Sequence, residues 1–184
     1  MLTETERKTL LRIARRTIEE YVREGKRPAF EVTEPALREK RGVFVTLHKG
    51  GRLRGCIGRI MPGDELYKAV SLMAIESATA DPRFSPVRAE ELNEIEIEIS
   101  VLTVPTRIKG IDEIELGRDG VIIKRGMGQG VFLPQVAREV GWSKEEFLSH
   151  LARDKAGLEA DAWKDKDTEI FTFQAEVFSE HKKA

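Results

Sequence analysis

The spacing of apolar positions switches between helical and strand periods along the chain, and each switch marks an element. Leu10, Ile13, Ala14, Ile18 and Tyr21 recur at helical spacing, and Thr3 with Glu6 has the spacing of a capping box. Gly25 and then Pro28 end that helix. A β-rich run from Val43 to Leu47 leads to Gly50-Gly51, and Arg52 to Ile60 reads as the returning strand of a hairpin. Pro62-Gly63-Asp64 opens a helix over 64–80 with Leu66, Val70, Met73 and Ser77 on one face. Asp81-Pro82 stops it, because the residue before a proline is pushed out of helical conformation. A short helical piece follows near 88–92. From Asn93 to Thr103 the alternation is cleanest, with Ile95, Ile97, Ile99 and Val101 opposite Glu94, Glu96, Glu98 and Ser100.

The second half replays this order. Gly120-Val-Ile-Ile echoes Gly42-Val-Phe-Val, and each opens a hairpin that runs to a proline at a helix start, Pro134 and Pro62. Helices over 134–140 and 144–154 follow, the latter opened by a Ser143/Glu146 capping box. A strand over 169–178 closes the half, with Phe171, Phe173, Ala175 and Val177 on one face. The expected fold is α+β, with mostly antiparallel sheets and helices. Two ββααβ-like repeats plus an N-terminal helix would pack into one compact body. Residues 1–184 then read as a single domain with sub-units 1–103 and 112–184, connected by Thr103–Asp112.

Composition narrows the class. The chain has 184 residues, 40% of them apolar, too many for intrinsic disorder. At this size roughly 70% of the unfolded surface is buried on folding. No apolar run approaches the roughly 18 residues of a membrane span. The opening residues lack the apolar core of a secretory signal, and Glu4, Glu6, Glu19 and Glu20 argue against a transit peptide. The single cysteine, Cys56, excludes an internal disulfide. A soluble, cytoplasmic protein with no membrane association is expected.

The net charge of −1 conceals an asymmetry. Residues 1–60 hold 15 basic and 8 acidic side chains, and the remainder holds 16 and 24. The basic excess is densest from Arg38 to Arg59. Such clustering marks either a phosphate or nucleic-acid site or a face paired with an acidic neighbour. The near-neutral total disfavours nucleic acid. At least one of Arg52, Arg54 and Arg59 is expected to pair with Asp81 or with the Glu96/Glu98 row.

Few residues can carry chemistry. His48, His150 and His181 have no metal-ligand spacing with Cys56 or with one another, so neither a metal nor another cofactor is expected. Gly126-Met-Gly-Gln-Gly leads into a strand rather than a helix N-terminus, and it reads as a hairpin turn, not a phosphate loop. What remains is Leu53-Arg-Gly-Cys-Ile-Gly58. A two-residue turn at Gly50-Gly51 pairs Val45 with Cys56 and Leu47 with Arg54. That register puts Arg54 and Cys56 on one face, where the guanidinium favours the thiolate, and His48 on the other. Gly55 and Gly58 would admit another backbone or a ligand, or simply mark a bulge.

Leu53-Arg-Gly-Cys-Ile-Gly58, followed by Pro62, resembles the signature of the AMMECR domain family. The resemblance continues through Asp81-Pro-Arg-Phe-Ser-Pro86, Glu91-Leu92, Glu98-Ile-Ser100-Val-Leu102, Leu133-Pro-Gln-Val136, Gly141-Trp142, Phe147-Leu148 and Lys155-Ala-Gly-Leu158. It spans roughly residues 42 to 178. It implies an α+β protein with duplicated units. It also implies a bacterial or archaeal system with a Memo-like protein and a radical SAM enzyme, in which macromolecule modification has been suggested. One departure is visible. Many members carry a second cysteine just before the Lys-Ala-Gly block, where this chain has Ala152, Arg153 and Asp154, and this weakens two-thiol or metal chemistry.

The leading expectation is a ligand- or substrate-binding module, or an enzyme component, for a small anionic ligand. Cys56 is its candidate catalytic residue, and Arg54, Gly55, Gly58, Asp81, Arg83 and Phe84 line the site. Arg83 either grips an anion bidentately or pairs with Asp81 or the Glu96/Glu98 row. The rival expectation is a non-catalytic adaptor that docks a protein partner on the 64–80 helix or a sheet edge. A pocket walled by Cys56, Arg54 and Asp81 to Phe84, with a thiol alkylating faster than a free one, would favour the first.

Overall fold

Thr3 caps the first helix, α1 (Glu4–Glu24), by accepting the Glu6 N–H at 3.2 Å, while the Glu6 carboxylate takes the Thr3 N–H at 2.7 Å. Gly25 ends it at φ 67°, a left-handed conformation that residues with a Cβ rarely adopt. The computed structural model describes residues 1–180, so His181 lies outside the described residues. A short helix α2 (Pro35–Arg38) precedes the hairpin of β1 (Val43–Lys49) and β2 (Arg52–Arg59). Helix α3 (Leu66–Thr79), a 3-10 turn (Ala89–Glu94) and strand β3 (Ile95–Leu102) follow. Next come β4 (Thr106–Arg107), the hairpin β5 (Gly120–Arg125) and β6 (Gly128–Phe132), and helices α4 (Pro134–Val140) and α5 (Lys144–His150). Strands β7 (Glu169–Phe173) and β8 (Ala175–Ser179) close the described chain.

These elements form two four-stranded sheets, ordered β2-β1-β3-β8 and β4-β7-β5-β6, with antiparallel ladders within both hairpins and between each hairpin and its closing strand. In each sheet the first strand of a hairpin is flanked by its own partner and by the strand that follows the helices. The expected α+β class with antiparallel sheets is therefore what the chain adopts.

The chain divides into two units, Met1–Leu102 with the stretch from Glu176 on, and Thr103–Ala175. In the first unit, Val43, Val45, Leu47, Ile97, Ile99 and Val101 form one buried sheet face under Leu10, Ile13 and Ile18 of α1 and Val70, Met73 and Ala74 of α3. The alternation read from Asn93 to Thr103 holds from Ile95 to Val101, since burying one face of a sheet requires every second residue to be apolar, and it ends at Leu102, which is buried as well. The second unit is built around Val121, Ile123, Phe132, Phe147, Leu148, Leu151 and Ile170, with Trp142 and Trp163 packed against them.

Three expectations need correction. The strand over 169–178 is two strands in different sheets, broken at Gln174, whose N–H donates to Thr103 Oγ1 and whose carbonyl accepts the Thr103 N–H, both at 2.8 Å. Phe173 is buried, but Val177, beyond the break, is 55% exposed and shares no core face with it. The segment 103–112 is more than a connection, because its β4 pairs with β7 as an edge strand. The helix over 144–154 stops being α-helical at His150 and continues as a π turn, Leu151–Lys155, with the Ala156 N–H reaching the Leu151 carbonyl at 3.1 Å.

Candidate functional site

Two consecutive glycines make the β1–β2 turn, both at positive φ (57° and 74°), and next to it the pairs Lys49–Arg52 and His48–Leu53 match the expected register. The register then slips between Leu47 and His48. Leu47 pairs with Gly55, Thr46 with Cys56 and Val45 with Ile57, leaving Arg54 as the extra residue of a bulge. This corrects the pairing of Val45 with Cys56 and of Leu47 with Arg54. A slip of one residue moves side chains to the opposite face, so Cys56 shares its face with Thr46 and His48. The Cys56 Sγ lies 3.1 Å from Thr46 Oγ1. Across β1, Thr46 pairs with Glu98 and His48 with Glu96, so this outer sheet face carries a cysteine, a hydroxyl, an imidazole and two carboxylates. Sequence reasoning did not name Thr46, put His48 on the opposite face, and took Glu96 and Glu98 only as ion-pair partners for arginines. The available signal was Gly55, a strand glycine that marks a bulge.

The two motif glycines are close-packing positions. A Cβ on Gly55 would meet the Ser77 carbonyl oxygen at 2.2 Å, and one on Gly58 would meet the Phe44 ring at 2.2 Å. Their open sides are thus filled by α3 and by β1, not left for a ligand. Ser77 itself bridges the two strands. Its Oγ accepts the Ile57 N–H at 2.9 Å and donates to the Val45 carbonyl at 2.7 Å.

Strand β2 is an edge, and the Cys56 N–H on that edge is taken by Asp81 Oδ2 at 2.9 Å. Asp81 sits just past the end of α3, only 4% exposed. It also accepts the Arg83 N–H at 3.0 Å and a guanidinium fork, Nε at 3.0 Å and Nη2 at 2.8 Å. Arg83 above all holds the Asp81 carboxyl well below the usual range, against the opposing effect of burial. The same Nη2 lies 3.5 Å from the Cys56 carbonyl, and the guanidinium carbon stands 5.5 Å from the centre of the Phe84 ring. The structure therefore brings Asp81 and Arg83 to Cys56, with Phe84 against the Arg83 guanidinium. The Arg83 side chain remains 55% exposed, and its fork on Asp81 does not use Nη1.

Arg54 turns elsewhere. Its Nε and Nη2 reach the Glu91 carboxylate at 3.1 and 3.0 Å, and Nη1 and Nη2 reach the carbonyls of Ser85 (2.8 Å) and Pro86 (3.4 Å). It clamps the 81–94 segment to the hairpin. Arg59 stands 3.9 Å from Asp64 and 3.7 Å from Glu76. Among the described residues, none of Arg52, Arg54 and Arg59 pairs with Asp81, Glu96 or Glu98, so the expected pairing is corrected. Arg54 pairs instead with Glu91 of the 3-10 turn, and Arg59 lies near Asp64 before α3 and Glu76 within it.

The thiolate expectation also reverses. Burial pushes the Cys56 thiol above its ordinary value, and the Thr46 hydrogen bond and the Arg83 charge offset this only in part. Cys56 should therefore alkylate more slowly than a free thiol at neutral pH and gain reactivity only as pH rises; a rate at or above that of a free thiol would contradict the geometry. One cavity of the first unit, of about 610 Å³, lies away from Cys56, between α1 and the 177–180 stretch.

Glu91 makes the acid response testable. Arg54 above all, with the Arg88 N–H at 2.9 Å and Lys49 at 3.2 Å, lowers it from 4.5 to about 2. A carboxylate depressed in the folded state holds fewer protons there than in the unfolded chain. Its stabilisation is complete above pH 4.5 and disappears as pH falls toward about 2. Replacing Glu91 with Gln is expected to cost on the order of 2 kcal/mol at pH 7, with some of the shift screened by solvent, and to flatten the acid limb. Urea unfolding at several pH values checks this; an unchanged acid limb would contradict it.

Two antiparallel-sheet units with helices, and a cysteine held on an edge strand by an Arg–Asp fork, define the class. A sequence model of the AMMECR1 family matches residues 11–178, and the chain belongs to that family. It is 48% identical over 183 residues to a protein of Pyrococcus furiosus, covering 93% of this chain and 86% of that one. It is 45% identical over 186 residues to a protein of Methanothermobacter thermautotrophicus, covering 97% and 96%. The crystal structure of an uncharacterized protein from Pyrococcus horikoshii is similar, with a TM-score of 0.83, 46% identity, and coverage of 94% of this chain and 90% of that one. No helix among the described residues is long and apolar enough to cross a membrane.

Proposed function

We propose that the protein is a binding module for a small polar ligand or substrate, with its site on the outer face of the first sheet around Cys56. The observation that carries this is the convergence of three residues, from the 81–84 turn and β1, on one residue of β2. Asp81 takes the Cys56 N–H, Arg83 approaches its carbonyl, and Thr46 contacts its sulfur. Holding a buried carboxylate beside an edge strand costs desolvation, which the Arg83 fork offsets, and the result is a fixed backbone under a half-buried thiol. The uncommitted Nη1 of Arg83 supplies a contact for an anionic group. Glu98 and Glu96 select against a ligand that is anionic throughout, so hydrogen-bond donors or a positive group would lie over them. Cys56 acts as a neutral thiol contact in the resting protein, and its pKa disfavours it as a standing nucleophile. Membership of the family supports a further step: the module serves a modification system with radical SAM and Memo-like partners.

Native mass spectrometry of the full-length protein tests the site. A retained small molecule is expected, lost in both Cys56→Ala and Arg83→Met. Retention that survives both substitutions, or no retained molecule from wild-type cells or their extracts, would remove the reading. The adaptor reading is favoured by a different observation, a groove of about 410 Å³ on α3 lined by Phe30, Tyr67, Leu72 and Ile75 among others. A Leu72→Glu substitution that abolishes partner capture with ligand retention intact would put the adaptor first.

A further inference from the structure

We propose that the second unit carries a separate site for a nucleoside polyphosphate, in the groove between β4 and the 162–168 loop. The groove holds about 720 Å³, within the range of small-ligand sites. Two segments supply cations to it in i, i+2 pairs, Arg107 with Lys109 and Lys164 with Lys166. Its apolar part includes Ile111 and Trp163. The three lysines, Lys109, Lys164 and Lys166, repel each other around one concavity, and a polyanion relieves that repulsion.

One nearby carboxylate offsets Arg107, and among the described residues none offsets the three lysines. Asp165 is engaged by Arg125, and Glu169 lies 3.5 Å from Arg107. Glu113 is occupied with the backbone N–H groups of Lys109 and Gly110, at 2.8 and 3.2 Å. Among the described residues no carboxylate pairs with Lys109, Lys164 or Lys166, although Lys164 stands over the Trp163 ring at 5.0 Å. Both walls are fixed without a ligand. Glu113 caps one, and on the other the Thr168 hydroxyl donates to the Ala162 carbonyl at 2.6 Å. An anionic chain with a flat, partly apolar body fits this division. The phosphates meet the lysines, and the base lies against the apolar part beside Trp163.

Isothermal titration of the full-length protein with ATP, tripolyphosphate and adenosine tests the proposal. ATP is expected to bind at least about 10-fold tighter than tripolyphosphate, and adenosine to show no measurable heat. Lys109→Gln and Lys164→Gln should each weaken ATP about 5- to 10-fold, and Lys124→Gln, on β5 outside the groove, should not. Tripolyphosphate binding as tightly as ATP would reduce the groove to an ionic patch and overturn the nucleoside part. No binding of ATP, or groove variants indistinguishable from Lys124→Gln, would overturn the site altogether. Cys56→Ala is expected to leave ATP binding unchanged, so failure here is distinguishable from failure at the Cys56 site.

Discussion

Gly55→Ala is expected to destabilise the protein by about 3 kcal/mol, the upper end of what overpacking costs. The clash is with backbone, the Ser77 carbonyl 2.2 Å from the new Cβ, and backbone in a helix cannot rotate away. Relief requires α3 to retreat from β2. Any retreat stretches the Ser77 hydroxyl bridge between Ile57 and Val45, which leaves a strand N–H and a buried carbonyl short of partners. Gly63→Ala is the control, since nothing lies within 4 Å of its Cβ position. Denaturant unfolding should separate the two variants clearly, with the control within about 0.5 kcal/mol of wild type. Equal stability of the two would mean that α3 does not rest on Gly55.

Asp81→Asn is expected to cost about 2 to 3 kcal/mol and to speed Cys56 alkylation about 10-fold. The amide keeps one acceptor but turns the other into a donor. It then faces a donor already in place, either the Cys56 N–H or the Arg83 guanidinium. The 81–84 turn loosens from β2, exposing the thiol, and the loss of a negative charge near the sulfur lowers its pKa. Both effects raise reactivity. The acid dependence follows the same sign as that of Glu91. The wild-type carboxylate stabilises at neutral pH and loses its contribution as acid protonates it, so the variant should show a shallower acid limb. An alkylation rate equal to that of wild type would show that the turn does not shield Cys56.

The local grammar of the chain was legible without its structure. The Thr3 and Ser143 caps, the Gly50-Gly51 turn, the hairpin at Gly126 and the alternation from Ile95 to Val101 all depend on neighbours within a few residues. The approach of Asp81 and Arg83 to Cys56 is of another kind, since it joins segments 25 residues apart, and the sequence pointed to it only through the irregular turn that Asp81-Pro82 imposes. What sequence reasoning placed wrongly depended on partners far along the chain. Arg54 slips the register because it sits in a bulge, and its guanidinium is held by Glu91, 37 residues away. That slip moved Cys56 from the face of Val45 to the face of Thr46 and His48, and so changed which groups surround the thiol.

The chain by itself determined the α+β class, both hairpins, and helices α1, α3 and α4 with the start of α5, because periodicity and capping are local energies that repeat within one or two turns. Only the tertiary structure decided that the chain changes sheets at Gln174, that the Cys56 thiol is raised rather than lowered, and that Arg83, not Arg54, lies beside it. Each of these turns on desolvation and on charge–charge distances between segments remote in sequence. Those quantities have no local pattern, since they exist only once burial has set the dielectric and brought the partners into contact.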